Sequence, residues 1–237
     1  MKPLAFLGLS AALAASLPLF VDAAGAAKKG FVLSPLKEAA PESVSAQVRD
    51  AVQAQGIRVL DANQKPFADV WLRSSVPLRS GKEELGVKFG QLEEGTLLGV
   101  VRFHEKSSDF KGNGFPAGVY TLRTALQPVD GDHQGVSATR DFLLLAPAGV
   151  DAKIDALPTK EAIKLSVQST GTKHPTVLYL VQMLDEGSKL PRMVEDEDLE
   201  YWTLDCEIPA AKEEKSGGAR APAVRLGIVL VGRAAEF

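Results

Sequence analysis

The residues best suited to bind a ligand or a metal ion lie around the segment from Asp130 to Asp141, which is rich in carboxylates. The candidate ligand-binding side chains are carboxylates, imidazoles and one guanidinium, namely Asp130, Asp132, His133, Arg140, Asp141 and His174. Carboxylates suit hard divalent cations, and imidazole suits zinc and copper. A metal site would form here if the fold brought His174 to His133. The spacing does not determine which metal that would be.

The same segment also fits an ordinary turn between strands. In Asp130-Gly131-Asp132 the Asp side chains can bond to the local backbone, and the glycine can adopt a positive φ. The segment lacks the spaced oxygen ligands and the terminal Glu of a calcium-binding loop. The sequence favours the turn, and the ligand site stays a hypothesis beside it.

Nucleophilic chemistry has weaker support in the sequence. Ser137 lies near His133 and Asp141, but no strand-turn-helix elbow surrounds it, which argues against a hydrolase. Cys206 alternates with apolar residues, so we expect a buried and unreactive thiol. An isolated histidine such as His104 is more typical of a structural position than of a catalytic one.

These observations favour a non-catalytic protein that binds a small molecule or a protein partner, or that supports an envelope assembly. In β-sandwich proteins the function usually resides in loops, and the best candidates here are the loops from His104 to Gly118 and from Asp130 to Arg140. No cofactor is expected. The alternative is a metal-dependent enzyme that uses His133 and His174, and analysis of bound metal would distinguish the two.

The N-terminus determines the expected location. Lys2 precedes an apolar run from Leu4 to Leu17, and small residues follow at 21–26, which is the pattern of a secretory signal peptide. The run has roughly 14 residues, fewer than the ~20 that a spanning helix needs, so we expect no membrane span after cleavage. Residues 1–23 are therefore predicted to be a signal peptide, and the mature protein to be periplasmic or extracellular.

Composition limits the remaining possibilities. The formal net charge is −3 with both signs interspersed, whereas a nucleic-acid-binding protein would show a basic stripe. The chain has one cysteine, so no intrachain disulfide can form and burial of apolar side chains must stabilise the fold. We expect a linker and a short helix over 24–55, with the linker from Lys28 to Ala40, and a single β domain over 56–237.

Two kinds of periodicity predict the elements. Val44, Val48 and Val52 repeat every four residues between Pro41 and Gly56, which indicates a short helix whose stripe of small residues caps a sheet. From Gly56 onward the period is two, and roughly nine strands are expected in the intervals 57–60, 67–73, 97–103, 119–127, 142–145, 163–167, 176–182, 201–208 and 223–233.

Three details of these strands are specific enough to check. Thr121, Arg123 and Gln127 should form one solvated face of their strand. The apolar segment from Phe142 to Leu145 should lie in the middle of a sheet. A shared core is expected for Tyr120, Leu122, Trp202, Leu204 and Ile228. The fold class predicted is all-β, an antiparallel β-sandwich of immunoglobulin or transthyretin type with a short N-terminal helix.

Two stretches resemble known sandwich modules. Residues from Gly56 to Val70 (GIRVLDANQKPFADV) and from Pro116 to Arg123 (PAGVYTLR) are similar to transthyretin-like and carboxypeptidase-regulatory-like domains. The resemblance implies a β-sandwich and reports fold more than function. The chain as a whole also resembles a group of uncharacterised secreted bacterial proteins, which implies no activity.

Overall fold

A computed structural model describes residues 30–80, 84–127, 140–183, 185, 187–211 and 222–232. Within these ranges the chain forms two α-helices, α1 (Ala46–Ala51) and α2 (Thr159–Ser166). The strands are β1 (Val32–Leu36), β2 (Gly56–Leu60), β3 (Pro66–Leu72), β4 (Leu97–Phe103), β5 (Ser107–Ser108), β6 (Gly114–Phe115), β7 (Gly118–Leu126), β8 (Asp141–Pro147), β9 (Thr176–Val181), β10 (Arg192–Asp196), β11 (Tyr201–Pro209) and β12 (Ala223–Val231).

Ten of these strands form one antiparallel sheet in the order β1-β2-β3-β4-β7-β8-β9-β12-β11-β10, and β5 and β6 form a separate hairpin. The prediction of an antiparallel all-β protein is confirmed. The sheet is nearly closed, since its two edge strands β1 and β10 approach each other. The ladder between β9 and β12 is narrow and joins only Val181 to Gly227 and Leu180 to Ile228.

One face of the sheet forms the main hydrophobic core. Tyr120, Leu122, Leu204 and Ile228 are buried together in it, as the two-residue periodicity predicted. Trp202, expected with them, is half-buried and lies edge-on to Phe31 with 5.5 Å between ring centroids. A register shift between Trp202 and Thr203 breaks the alternation there.

The opposite face is buried as well over β7, and the prediction of a solvated face there is wrong. Thr121 and Arg123 are fully buried because the segment 148–157 lies across them. The end of this segment at Leu157 packs against Gly95, whose φ is +79° and where a Cβ would overlap the Leu157 carbonyl oxygen. Only glycine allows the two segments to pack so closely.

Helix α1 confirms the predicted valine stripe. Val44, Val48 and Val52 are buried against Trp71 on the outer face of the sheet. The helix begins later than Pro41, because the Ser45 side chain accepts the hydrogen bond from the Val48 backbone N–H and caps it.

Two predicted segments have a different structure. The segment expected as a linker contains β1, which pairs with β2, because Leu33 contacts the main core and Leu36 packs with the valines of α1. The strand expected over 163–167 is part of helix α2 and a following 3-10 turn. Ala162 and Ser166 lie on its buried side, and three alternating apolar residues are too few to distinguish the two periods.

Candidate functional site

The predicted ligand-binding residues are only partly described. Asp130, Asp132 and His133 lie outside the described residues. Arg140 donates to the Gln127 carbonyl at 3.0 Å and forms an ion pair with Glu84 at 2.5 Å. Within the described part, the arginine therefore holds neighbouring segments together.

Asp141 begins β8 and is buried. Its carboxylate accepts hydrogen bonds from the backbone N–H groups of Lys88 at 2.6 Å and Phe89 at 3.2 Å. Burial raises the pKa of the Asp141 carboxyl above its usual value, although both N–H groups and the Arg140 charge act to lower it. The described contacts of Asp141 thus anchor the segment before β4.

His174 lies in the exposed turn before β9, and the sheet register separates it from Asp141. Thr176 pairs with Leu145 and Tyr179 pairs with Phe142, so His174 is at the opposite end of β8, about 20 Å away at ~3.3 Å per residue. In the described ranges no group of three or more His, Cys, Asp or Glu residues is arranged to hold a metal ion. Because His133 lies outside those ranges, the metal-site hypothesis stays a prediction.

A charged cluster that the sequence analysis did not identify surrounds Asp69 on the outer face. Arg58, Asp69 and Arg102 pair across β2, β3 and β4, so their side chains share one row. Arg58 Nε donates to Asp69 Oδ1 at 2.7 Å, and Arg102 Nε donates to Oδ2 at 2.9 Å. His104 Nε2 contacts the same Oδ2 at 2.8 Å.

The hydrogen bonds and ion pairs of this cluster compensate for the burial of the Asp69 charge. Burial alone would raise the pKa of the Asp69 carboxyl, but the hydrogen bonds from Arg58, Arg102 and His104 outweigh it, and the pKa lies below the usual value. An ionised carboxylate with this many donors is a poor proton acceptor. The cluster therefore ties three strands together and has no arrangement suited to acid–base catalysis.

A second polar group lies inside the protein between Arg123 and Asp151. Arg123 Nε and Nη2 donate to the two Asp151 oxygens at 2.6 and 2.8 Å. Its remaining N–H groups donate to the carbonyls of Gly95, Lys153 and Asp155. All five guanidinium donors have partners, so this pair fastens the segment 148–157 to the sheet.

A cleft of about 690 Å³ lies between the edge strand β1 and the segment that precedes β10. One wall is β1 with Ser34 and Pro35, and the other is the approach to β10 with Ser188 and Pro191. Its volume is within the range typical of ligand sites.

The cleft is a wedge that closes towards the N-terminal end of β1. There Phe31 packs against Trp202, and Gly30 lies so close to the indole that a Cβ would overlap the ring. Since Trp202 pairs with Glu195, the C-terminal end of β10 lies at this closed end. The cleft opens at the other end, near Gln55 and Ser188.

The floor of the cleft is formed by Ile57, Leu72 and Cys206, whose side chains also belong to the main core. Glu207 and Arg225 line its polar side and form an ion pair at 3.5 Å. Burial, and next the Asp205 charge, raise the pKa of the Cys206 thiol well above its ordinary value. The thiol beneath the cleft is therefore not a nucleophile at neutral pH.

The predicted loop from His104 to Gly118 forms the β5–β6 hairpin and lines a groove of about 480 Å³. Phe67, Lys106 and Leu230 line it. The groove contains no described carboxylate or imidazole, so it has few side chains suited to catalysis or metal binding.

In the comparisons with known proteins, no family model, curated protein or solved structure matched the chain. The resemblance to transthyretin-like modules therefore stays an expectation. No helix in the described ranges has the length and apolar character needed to span a membrane.

The residues that build the cleft carried no recognisable motif in the sequence. Leu33 fell in a segment interpreted as a linker, and Ser188 and Pro191 fell between predicted strands. The Asp69 cluster did have a signal in the sequence. Asp69 is opposite in charge to Arg58 and Arg102, and the three residues lie at outward positions of consecutive strands, where such charges pair.

Proposed function

We propose that this protein is an exported, non-catalytic binding protein that takes its ligand in the cleft between β1 and the segment before β10. One observation carries the proposal. The ten-stranded sheet fails to close at this point, and the gap forms a cleft whose floor consists of Ile57 and the buried core residues Leu72 and Cys206. Well-formed apolar cavities with a few polar groups are the usual sites of ligand binding.

The chemistry of the cleft favours binding over catalysis. Its described ionisable side chains are Cys206, Glu207 and Arg225. The thiol is buried with a raised pKa, and the other two form an ion pair. A catalytic site would instead bring together a nucleophile or base and a group that orients it.

Within the all-β class, we propose that the strands form a two-layered β-sandwich. The narrow ladder between β9 and β12 supports it, because β1, β2, β3, β4, β7, β8 and β9 would then form one layer and β12, β11 and β10 the other. Tyr120 adds support, since its hydroxyl donates to the Pro116 carbonyl at 2.7 Å. Immunoglobulin-like sandwiches have a comparable tyrosine contact near the start of a strand.

Nuclear magnetic resonance of the purified chain with a library of small apolar and polar fragments tests the proposed site. We expect fragments to shift the signals of residues around Ile57 and Ser34, with binding at least about tenfold weaker in Ile57→Trp, which fills the floor. Ile163→Trp on the exposed side of α2 is the matched control and should bind as the unmodified chain does. Binding that maps elsewhere, or that survives Ile57→Trp, would overturn the proposal.

A further inference from the structure

We propose that Arg192 and Arg225 are positioning residues of the cleft, which hold one of its walls in place, and that protonation of Asp205 releases this wall. The wall in question is the segment 187–191 before β10, called the wall segment below. The inference rests on the proposed function, and it predicts that ligand binding in the cleft weakens at low pH.

The wall segment has few other contacts that would hold it. Ser188 and Leu190 line the cleft and are half-buried, and Pro191 lines it and is exposed. Among the described residues, no backbone hydrogen bond joins the segment to a strand, and none of its side chains belongs to a hydrophobic core cluster. A segment with so little apolar burial and backbone bonding opens easily. Its side-chain contacts therefore determine where it lies.

The first of these contacts is made by Arg192 at the start of β10. Its Nε donates to the Asp205 carboxylate on β11 at 3.0 Å, and its Nη1 and Nη2 reach the carboxylate and the carbonyl of Asp185 at 3.5 Å. Asp185 in turn accepts hydrogen bonds from the Gly187 N–H at 2.9 Å and from the Ser188 hydroxyl. The guanidinium thus links the beginning of the wall segment to β11.

The second contact is made by Arg225 on β12. Its Nη2 donates to the Ser188 carbonyl at 3.3 Å, and its Nε forms the ion pair with Glu207 of β11 at 3.5 Å. Because Ser188 lies at the open end of the cleft, this contact limits how far the entrance opens. Both arginines therefore join the wall segment to the same pair of strands.

Asp205 is surrounded by charged groups from several elements. Arg192 faces it from β10, Arg225 from β12 and Asp185 from the residues before the wall segment. From β9 its neighbour in the same small cavity is Val181, which is uncharged. Two further titratable residues line that cavity, Asp196 and Tyr201. The two arginines favour the ionised carboxylate, so the wall is held at neutral pH.

Burial makes Asp205 the carboxylate of this network that responds to acid. Its side chain is 5% exposed, whereas that of Asp185 is 59% exposed. Burial raises the pKa of the Asp205 carboxyl above its usual value, although the arginines act to lower it. The hydrogen bond from Ser188 leads the contacts that lower the pKa of Asp185. As the pH falls, Asp205 is therefore protonated before Asp185, and Arg192 loses its ion pair with β11.

The first test measures the affinity of the fragment from the library that binds in the cleft most tightly. For the unmodified chain we expect binding to weaken about twofold or more from pH 7 to pH 4, which is close to the usual value of 3.8. Asp205→Asn should bind about three- to tenfold more weakly already at pH 7 and should change less with pH. This comparison at pH 7 does not depend on how stable the chain is in acid. Lys153→Met breaks an exposed ion pair outside the cleft and should bind as the unmodified chain does.

Nitrogen-15 relaxation of the ligand-free chain measures the wall itself. The amides of the wall segment should have order parameters near ~0.85 at pH 7, and these should fall below ~0.6 in Arg192→Gln and in Arg225→Gln. Arg192→Lys keeps the charge but cannot bond to Asp185 and Asp205 at once, so it should restore only part of the rigidity. A wall segment that stays rigid in both glutamine variants would overturn the inference.

The outcomes separate this inference from the proposed function. If the fragment binds in the cleft with the same affinity in both glutamine variants and in Asp205→Asn, the positioning inference is wrong and the proposed site stands. If no fragment binds in the cleft, both proposals are wrong.

Discussion

Asp69 and Asp141 show how the same side chain acquires opposite properties in two buried positions. Asp69 faces two guanidinium groups and an imidazole, and its pKa is lowered. Asp141 faces two backbone N–H groups that do not fully compensate for burial, and its pKa is raised. A lowered folded-state pKa adds stability above the ordinary pKa, and that stability is lost as the pH falls through the folded value. A raised one adds stability at low pH, which is lost as the pH rises through it.

These directions predict opposite pH dependences for two matched variants. Asp69→Asn should lower the free energy of unfolding by about 2–4 kcal/mol at neutral pH, and by less below the ordinary value of 3.8. The difference between the unmodified chain and Asp141→Asn should instead shrink as the pH rises. Urea unfolding from pH 3 to 7 measures both. Two difference curves with the same slope would contradict the assignment.

Cys206 provides a second test at the residue scale. It is fully buried although the cleft lies above it, so we expect the native protein to resist thiol reagents at neutral pH and to react completely after denaturation. Cys206→Ser should cost about 1–3 kcal/mol, because it buries a hydroxyl among Leu204 and Ile208. Rapid labelling of the native protein would show that the floor of the cleft opens.

At the scale of elements, a buried ion pair fastens the cover over β7 to the sheet. Arg123 and Asp151 are each about 1% exposed, and Thr121 donates its hydroxyl to the same carboxylate at 2.5 Å. Without this arginine, three carbonyls and one carboxylate in the 148–157 segment and its neighbours would lose donors inside the protein. The cover therefore depends on a contact between elements distant in sequence.

Replacing one partner should accordingly cost more than replacing both. Arg123→Met should destabilise the protein by about 3–5 kcal/mol, since it leaves Asp151 charged and buried, and Arg123→Met with Asp151→Leu should recover part of that loss. Lys153→Met is the matched control, because the exposed Lys153–Glu161 pair is worth less than about 1 kcal/mol. Thermal or urea unfolding measures all three variants, and a double variant less stable than Arg123→Met would contradict the argument.

At the scale of the whole molecule, the sheet wraps around one core and stops short of closure. Near the N-terminal end of β1 the gap is closed by Phe31, which packs against Trp202 of β11, and the gap opens towards Gln55. Edge strands normally risk aggregation through their open backbone groups. Here the two edge strands approach each other, and Pro35 removes one backbone N–H from β1, so this edge is a poor template for another strand.

The proposed export of the molecule has a direct test. Cleavage after Ala23 or Ala26 should leave a mature protein that begins at Ala24 or Ala27, because small residues stand at the −3 and −1 positions of both sites. N-terminal sequencing of exported material measures this. A mature species that retains the run from Leu4 to Leu17 would show an anchor instead.

The sequence by itself determined those helices and strands in which the apolar periodicity repeats several times. The alternation in β7 and β11 and the valine stripe of α1 each span enough residues to define a period, so the chain predicted an antiparallel all-β protein with a short helix. The prediction failed over 163–167, where three apolar residues fit both periods. It also failed over β1, whose five residues form a strand because they pair with β2.

The candidate site was decided by the tertiary structure alone. Phe31 meets Trp202, and Ser34 faces Pro191 across the cleft, only because the order of the strands brings the two edges of the sheet together. The burial of Arg123 likewise depends on Asp151 in a distant segment. Side-chain periodicity reports which face of a strand a residue occupies, but not what covers that face, and the cover is set by contacts between residues far apart in the sequence.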